Sequence, residues 1–341
     1  MKYIFLVHSP ITVLVANLII LQEQLKREDI IFFTARGTKI KDEKYITYDF
    51  PYAETYDAIP QTRFFWISFR ILNEFDKNLE KVIGLNNFKL YVPQNSIRGV
   101  ELLVNHKQCK NFSIIEEGSA SYYPFNYMNN LYGNSRRSFW DKIGYRNRIK
   151  EKYFYRPDYE KVYSITNEAF PGFRDKCILY IDKIKSTLYD KFNNQAFLFY
   201  DNILLANNLQ EGQVLKKLNE FLIQKQRFKK LFYKFHPNHT DAQKLEIRNL
   251  MQQNFSLELE ELDATFSGEL LAINAKNLTF IVNVSSLGIY GVLFKHHVFS
   301  FSKWLCEVKI DSTLLYGNNS GYKKFLNAMP DIYKQHVNFL N

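Results

Sequence analysis

The sequence predicts an α/β protein built as two Rossmann-like domains facing across a central cleft. Apolar runs of strand length alternate with longer runs of helical period, a rhythm that stops at a basic aromatic stretch near the middle and then resumes. Three short polar signals also stand where strands should end, the edge at which such sheets bind ligands.

In the first half, Tyr3–Val7, Ile30–Thr34, Tyr45–Tyr48, Lys89–Val92 and Phe112–Ile115 read as strands, and Ile11–Arg27, Phe65–Val82 and Ser96–His106 as helices. The strands alternate little, as parallel strands buried on both faces do. From Gly133 to Lys161 the pattern gives way to Arg136, Arg137, Arg146, Arg148, Lys150, Lys152 and Arg156 among aromatics, which reads as an interdomain segment or lid. Strands resume at Val162–Ile165, Ala196–Tyr200, Leu231–Phe235 and Leu278–Val284, with helices at Asp175–Asp190, Glu211–Gln226 and Asp241–Gln252. The expected boundaries are 1–155, 156–320 and a C-terminal helix over 321–341 that packs back on the first domain.

Composition limits the classes. A chain of 341 residues, 46% hydrophobic and 23% charged, folds throughout and can fill two cores. Its net charge of +10 favours anionic partners without choosing among nucleic acid, acidic lipid and phosphorylated glycans. Cys109, Cys177 and Cys306 are odd in number and far apart, so they suggest neither a disulfide framework nor a zinc knuckle, and fit a reducing cytoplasm. His8, Ser9 and Pro10 interrupt the apolar start, and Ile11–Leu21 is shorter than the ~20 residues that span a bilayer. Membrane contact is therefore expected to be peripheral, through the basic surface.

The three signals carry the chemistry. Glu116-Glu117-Gly118 follows a strand, pairing two carboxylates whose proximity raises at least one pKa with a residue that lets a ligand approach the backbone. His236-Pro237 follows another, and the proline holds the histidine extended at the strand end. Ser285-Ser286 precedes Leu287-Gly288-Ile289-Tyr290-Gly291-Val292, where hydroxyls and free N–H groups at a helix start suit a phosphate. Between the last two lies Leu257-Glu258-Leu259-Glu260-Glu261-Leu262, whose acids suit a ribose diol. Each signal alone fits an ordinary turn, cap or surface acid. The chain has no Gly-rich phosphate loop and no Asp-x-Asp metal motif, and His236 and His239 do not share a helical face as metal ligands would.

In order and spacing, an acidic pair with glycine, then His-Pro, then Ser-Ser, the chain resembles the bacterial sialyltransferases of GT-B fold. The resemblance rests on about four short segments. It implies an N-terminal acceptor-binding domain and a C-terminal domain that binds a CMP-sugar donor. It further implies that Glu116 or Glu117 deprotonates the acceptor, that His236 assists departure of CMP, that Glu260 binds the ribose, and that Pro237, Ser285 and Ser286 complete the nucleotide site. Some lipooligosaccharide members place the base just after the first strand of the C-terminal domain, which is Asp201 here, so three candidates for the base stand open. His8, Ser9, Pro10, Gly118 and Ser119 fall on the acceptor side.

The expected activity is inverting, metal-independent transfer of sialic acid from CMP-sialic acid to a bacterial lipooligosaccharide, O-antigen or capsule, with no cofactor, in the cytoplasm or on the inner face of the inner membrane. Transfer of another CMP-keto-sugar and polymerisation of sialic acid belong to the same class. A nucleic-acid-binding protein would be basic and aromatic too, but most Phe and Tyr here sit in apolar runs that read as core.

Overall fold

The computed structural model describes residues 1–40, 42–51, 65–132, 139–146, 148–149, 153–200, 208–225, 228–236, 239–264, 266–283, 285–302, 327 and 329–340. The chain divides into two compact units, Met1–Lys183 and Ile184–Asn341.

In the first unit β1 (Lys2–Val7) leads into α1 (Pro10–Gln22), followed by β2 (Ile30–Thr34), β3 (Ile46–Asp49), α2 (Phe65–Ile83), β4 (Phe88–Val92), α3 (Arg98–Val104) and β5 (Cys109–Ile115). After α4 (Phe125–Tyr132) and α5 (Phe139–Gly144) come β6 (Val162–Ser164) and β7 (Lys176–Ile178). All seven strands are parallel, in the order β3-β2-β1-β4-β5-β6-β7. Every residue of β2 and β4 is buried, as a sheet covered on both faces requires. Phe5 stacks on Tyr91 at 4.3 Å between ring centroids, tying β1 to β4 through the core. Helix α1 buries residues on all sides, and α2 buries Leu72, Phe75, Leu79 and Ile83, one stripe at helical spacing. Among the described residues, no helix is long and apolar enough to cross a membrane.

The second unit holds β8 (Ala196–Tyr200), α6 (Asn208–Lys225), β9 (Lys230–Phe235), α7 (Asp241–Asn254), β10 (Glu258–Glu261), α8 (Gly268–Asn274), β11 (Thr279–Val282), α9 (Ser286–Leu293), β12 (His297–Ser300), α10 (Asp331–His336) and β13 (Asn338–Phe339). Its six strands are parallel in the order β10-β9-β8-β11-β12-β13. One face is aliphatic, with Leu198, Leu231 and Ile281 against Leu215, Leu218 and Leu222 of α6 and Ile247 and Met251 of α7. The other is aromatic, with Phe197 on Phe232 at 5.1 Å and Phe199 on Phe280 at 5.6 Å.

The boundaries differ from those the sequence suggests. Strands β6 and β7 extend the first sheet, so the first unit runs to Lys183 instead of ending at 155. The expected helix over Asp175–Asp190 is instead β7 and two 3-10 turns, Ile181–Ile184 and Thr187–Phe192. Asp175 has φ +53, which no helix interior allows, and the following Lys-Cys-Ile joins β6 at the sheet edge. The described part of the C-terminal segment belongs to the second unit, where β13 extends the sheet beyond β12.

Candidate functional site

The second sheet begins at β8, grows outward through β9 and β10, and then crosses over to place β11 on the other side of β8. The point between β8 and β11, where the chain reverses direction across the sheet, is where an open parallel sheet binds ligands beyond its carboxyl ends. Tyr200 pairs with Phe235 and Ile281 with Leu198, so β8, β9 and β11 end almost level. His236 and the Ser285 turn therefore lie on one edge of one sheet, two strand spacings or about 10 Å apart. The position after β8, Asp201, lies outside the described residues, as do Pro237 and Cys306.

Ser285 is extended (φ −135, ψ 146) and caps α9, its hydroxyl accepting from the Leu287 amide at 3.2 Å; Ser286 is the first helical residue. Helix α9 rests directly on the sheet because two positions lack side chains. A Cβ at Gly291 would stand 2.7 Å from Val298 Cγ2 and 2.9 Å from the Phe280 ring, and one at Gly288 would stand 2.9 Å from the Tyr333 ring. Ser300 donates to the Asn283 carbonyl at 2.6 Å and Tyr333 to the same oxygen at 3.4 Å, holding the strand end that leads into the turn.

His236 is half-buried, and its carbonyl accepts from both the amide and the Nδ1 of His239, each at 3.1 Å. His239 is buried, which pushes its pKa below the usual imidazole value, and its ring anchors the turn. Among the described residues, no cluster of three His, Cys, Asp or Glu side chains is arranged to hold a metal ion.

Glu260 does not join this group. It lies on the outermost strand opposite Phe232, four residues short of His236 or about 13 Å down the strand, and pairs with Lys230. Glu261 is clamped by Arg248 through Nε at 2.6 Å and a second bond at 2.9 Å, which holds its carboxyl below the usual range. The acid nearer the strand ends is Glu269, in the first turn of α8. It is buried and accepts from Ser267 at 3.0 Å; burial raises its pKa, and Lys234 and Ser267 oppose the rise. Lys234 donates to the Phe266 carbonyl, and burial lowers its pKa. Gly268 packs against Leu287 and Phe199, so α8 and α9 begin side by side. Lys234 inside an otherwise apolar strand and the capping run Ser267-Gly268-Glu269 were the overlooked sequence signals.

The first sheet has its own reversal point, between β1 and β4, and the other candidates gather there. Glu116 is fully buried, with both oxygens committed: Tyr122 donates to Oε1 at 2.7 Å and the Ile165 amide to Oε2 at 2.8 Å. It therefore bonds the end of β5 to the end of β6, and the expectation that it could serve as a base gives way to a structural role. Glu117 is arranged differently. Its Oε2 meets His8 Nε2 at 3.1 Å over the end of β4, with side-chain exposures of only 8% and 3%. Its Oε1 is buried without a hydrogen-bond partner among the described residues. Gly118 has φ +124 and ψ −141, open to glycine alone, and starts the 3-10 turn Ser119–Tyr122 in which the Ser121 hydroxyl accepts from the Glu117 amide at 3.0 Å. Ser9 and Pro10 form the start of α1, where Thr12 Oγ1 accepts from the amides of His8 at 3.0 Å and Ser9 at 3.1 Å.

The described arginines of the basic stretch are spent internally. Arg148 forms a two-bond pair with Asp76, Arg146 bonds Asn73 at 3.0 Å, and Arg156 pairs with Asp158 and bonds Asn105 at 2.7 Å. Arg136, Arg137, Lys150 and Lys152 lie outside the described residues.

Two parallel α/β units of this kind in one chain make a GT-B fold. No protein-family model and no curated protein sequence matches the chain. Solved structures resemble it throughout. A putative UDP-N-acetylglucosamine 2-epimerase of Listeria monocytogenes gives a TM-score of 0.50 at 9% identity, covering 99% of this chain and 91% of that one. The UDP-GlcNAc 2-epimerase of Neisseria meningitidis bound to UDP-GlcNAc gives 0.48 at 11%, covering 100% and 95%, and Acinetobacter baumannii MurG gives 0.43 at 10%, covering 100% and 85%. At such identities the likeness is one of fold.

Proposed function

We propose that the protein is an inverting, metal-independent glycosyltransferase that moves sialic acid from CMP-sialic acid to a hydroxyl of a bacterial surface glycan. The observation that supports it best is the level edge of the second sheet, with an imidazole after β9 and a hydroxyl-capped helix start after β11. There the amides of α9 with Ser285 and Ser286 hold the donor phosphate, and His236 gives a proton or charged hydrogen bond to the phosphate oxygen as the anomeric C–O bond breaks. The acceptor oxygen bonds to the anomeric carbon from the opposite face, inverting it, and its proton passes to a carboxylate. With Glu116 occupied, Glu117 is that base, and Asp201 is the alternative. The departing CMP is a phosphate monoester and carries less charge than a nucleoside diphosphate, so hydroxyls, amides and an imidazole suffice in place of a metal.

A second reading, an enzyme acting on a UDP-sugar, draws on the Listeria likeness. Thermal unfolding with CMP, CDP, UMP and UDP separates the two. A nucleotide at about a hundred times its Kd adds about 2.7 kcal/mol to the native state. CMP should raise the melting temperature most; a response to UDP alone would move the assignment to the second reading, and no response to any would sink both.

A further inference from the structure

Lys234 breaks the apolar run of β9 one residue before the strand ends. Phe232, two residues earlier, has its ring 5.1 Å from that of Phe197 and 5.3 Å from that of Phe192, so the alternation of a strand puts Lys234 on this aromatic face, with His236 next in the row. A cation is costly there. The ammonium is half-buried, and that burial lowers its pKa.

The bond it makes is to the backbone. Lys234 Nζ donates to the Phe266 carbonyl, in the segment that leads into α8, and the Phe266 ring is set edge-on against Phe192 at 5.4 Å. Ser267 follows as the cap of α8, accepting from the Leu270 amide at 3.1 Å and donating to Glu269 at 3.0 Å. Gly268 comes next, and a Cβ on it would stand 2.7 Å from Leu287 and 3.1 Å from Phe199. Leu287 lies in the first turn of α9, and its amide donates to the Ser285 hydroxyl at 3.2 Å. Contacts therefore run unbroken from the Lys234 ammonium to the turn after β11.

We propose that Lys234 is a positioning residue of the nucleotide site: by holding the Phe266 carbonyl it seats the start of α8 against the start of α9, and so sets the α9 amides and Ser285 in register with His236 at the end of β9. It acts through the backbone, without touching the donor. The inference rests on the reading of the Ser285 turn as the phosphate site.

Calorimetric titration of the full chain with CMP and with cytidine tests this, because only the nucleotide carries the phosphate. In Lys234→Met, which keeps the reach of the side chain and loses the donor, the Kd for CMP should rise about tenfold or more, the equivalent of one charge-assisted hydrogen bond, while the Kd for cytidine stays within about twofold. Gly268→Ala leaves Lys234 in place and pushes Leu287 away from α8, and should give the same selective loss. Equal losses for CMP and cytidine would mean general damage to the unit, and unchanged CMP binding in both variants would mean that α8 has no part in the grip; either overturns the role. A loss confined to Lys234→Met would make the ammonium a direct ligand of the phosphate, and one confined to Gly268→Ala would leave Lys234 without a part, which overturns it equally. If the wild type binds UDP alone, UDP and uridine take the place of CMP and cytidine. If it binds no nucleotide, the phosphate site falls and this inference with it, a failure of the wild type that is distinct from a failure of the variants.

Discussion

Two adjacent glutamates with opposite duties give the sharpest prediction. Glu116→Gln keeps the shape of a side chain whose oxygens accept at 2.7 and 2.8 Å. Its amide oxygen can serve the Ile165 N–H, but its NH2 then faces Tyr122, whose hydroxyl must turn and donate to Thr166 Oγ1 at 3.2 Å instead. Losing a charge-assisted bond in a buried setting costs about 1.5–3 kcal/mol, which lowers the melting temperature of a unit of this size by about 3–12 °C. Glu117→Gln can still accept from His8, so its stability should change by less than about 1 kcal/mol, while loss of a general base lowers turnover about 10²-fold or more. Calorimetry and a chromatographic assay of transfer from CMP-sialic acid read both quantities on the same preparations. If Glu116→Gln stopped turnover with no loss of stability, or Glu117→Gln kept full turnover, the division of labour would be wrong.

His239 and His296 are buried with lowered pKa values, and His296 donates from Nε2 to the Ala272 carbonyl at 2.8 Å while its Nδ1 accepts from the Leu278 amide at 3.3 Å, an arrangement open only to the neutral ring. The unfolded chain binds those protons near pH 6.5 and the native state does not, so stability should fall as pH drops from about 7 to 5; His296→Gln, which cannot be protonated there, should flatten the slope measured by melting temperature, and an unchanged slope would refute the assignment. Gly291→Ala puts a methyl against Val298 and Phe280, and should cost about 1–3 kcal/mol and shrink the nucleotide-induced rise in melting temperature; a fully retained rise would show that α9 does not hold the phosphate.

The sheet strands read most easily from the sequence, because fully buried parallel strands such as Ile30–Thr34 and Ala196–Tyr200 are continuous apolar runs. Edge strands were harder. β10 is Glu-Leu-Glu-Glu and β7 is Lys-Cys-Ile, sequences whose strand state comes from a neighbour's hydrogen bonds more than from their own preference. The strand-end signals at His236, Glu116-Glu117 and Ser285 were legible because each interrupts an apolar run. What each one does was not: only the fold brings Tyr122 and Ile165 to Glu116, His8 to Glu117, and Lys230 to Glu260.

The opening turn of α9 owes its firmness to a ring from far along the chain, since Tyr333 fills the space beside Gly288 that a local side chain would otherwise take. Its amides are thus aligned by long-range docking and not by helix propensity. An excised peptide spanning Ser285–Leu293 would grip phosphate poorly, and loosening the Tyr333 segment should blunt anion capture while the strands beneath stay paired.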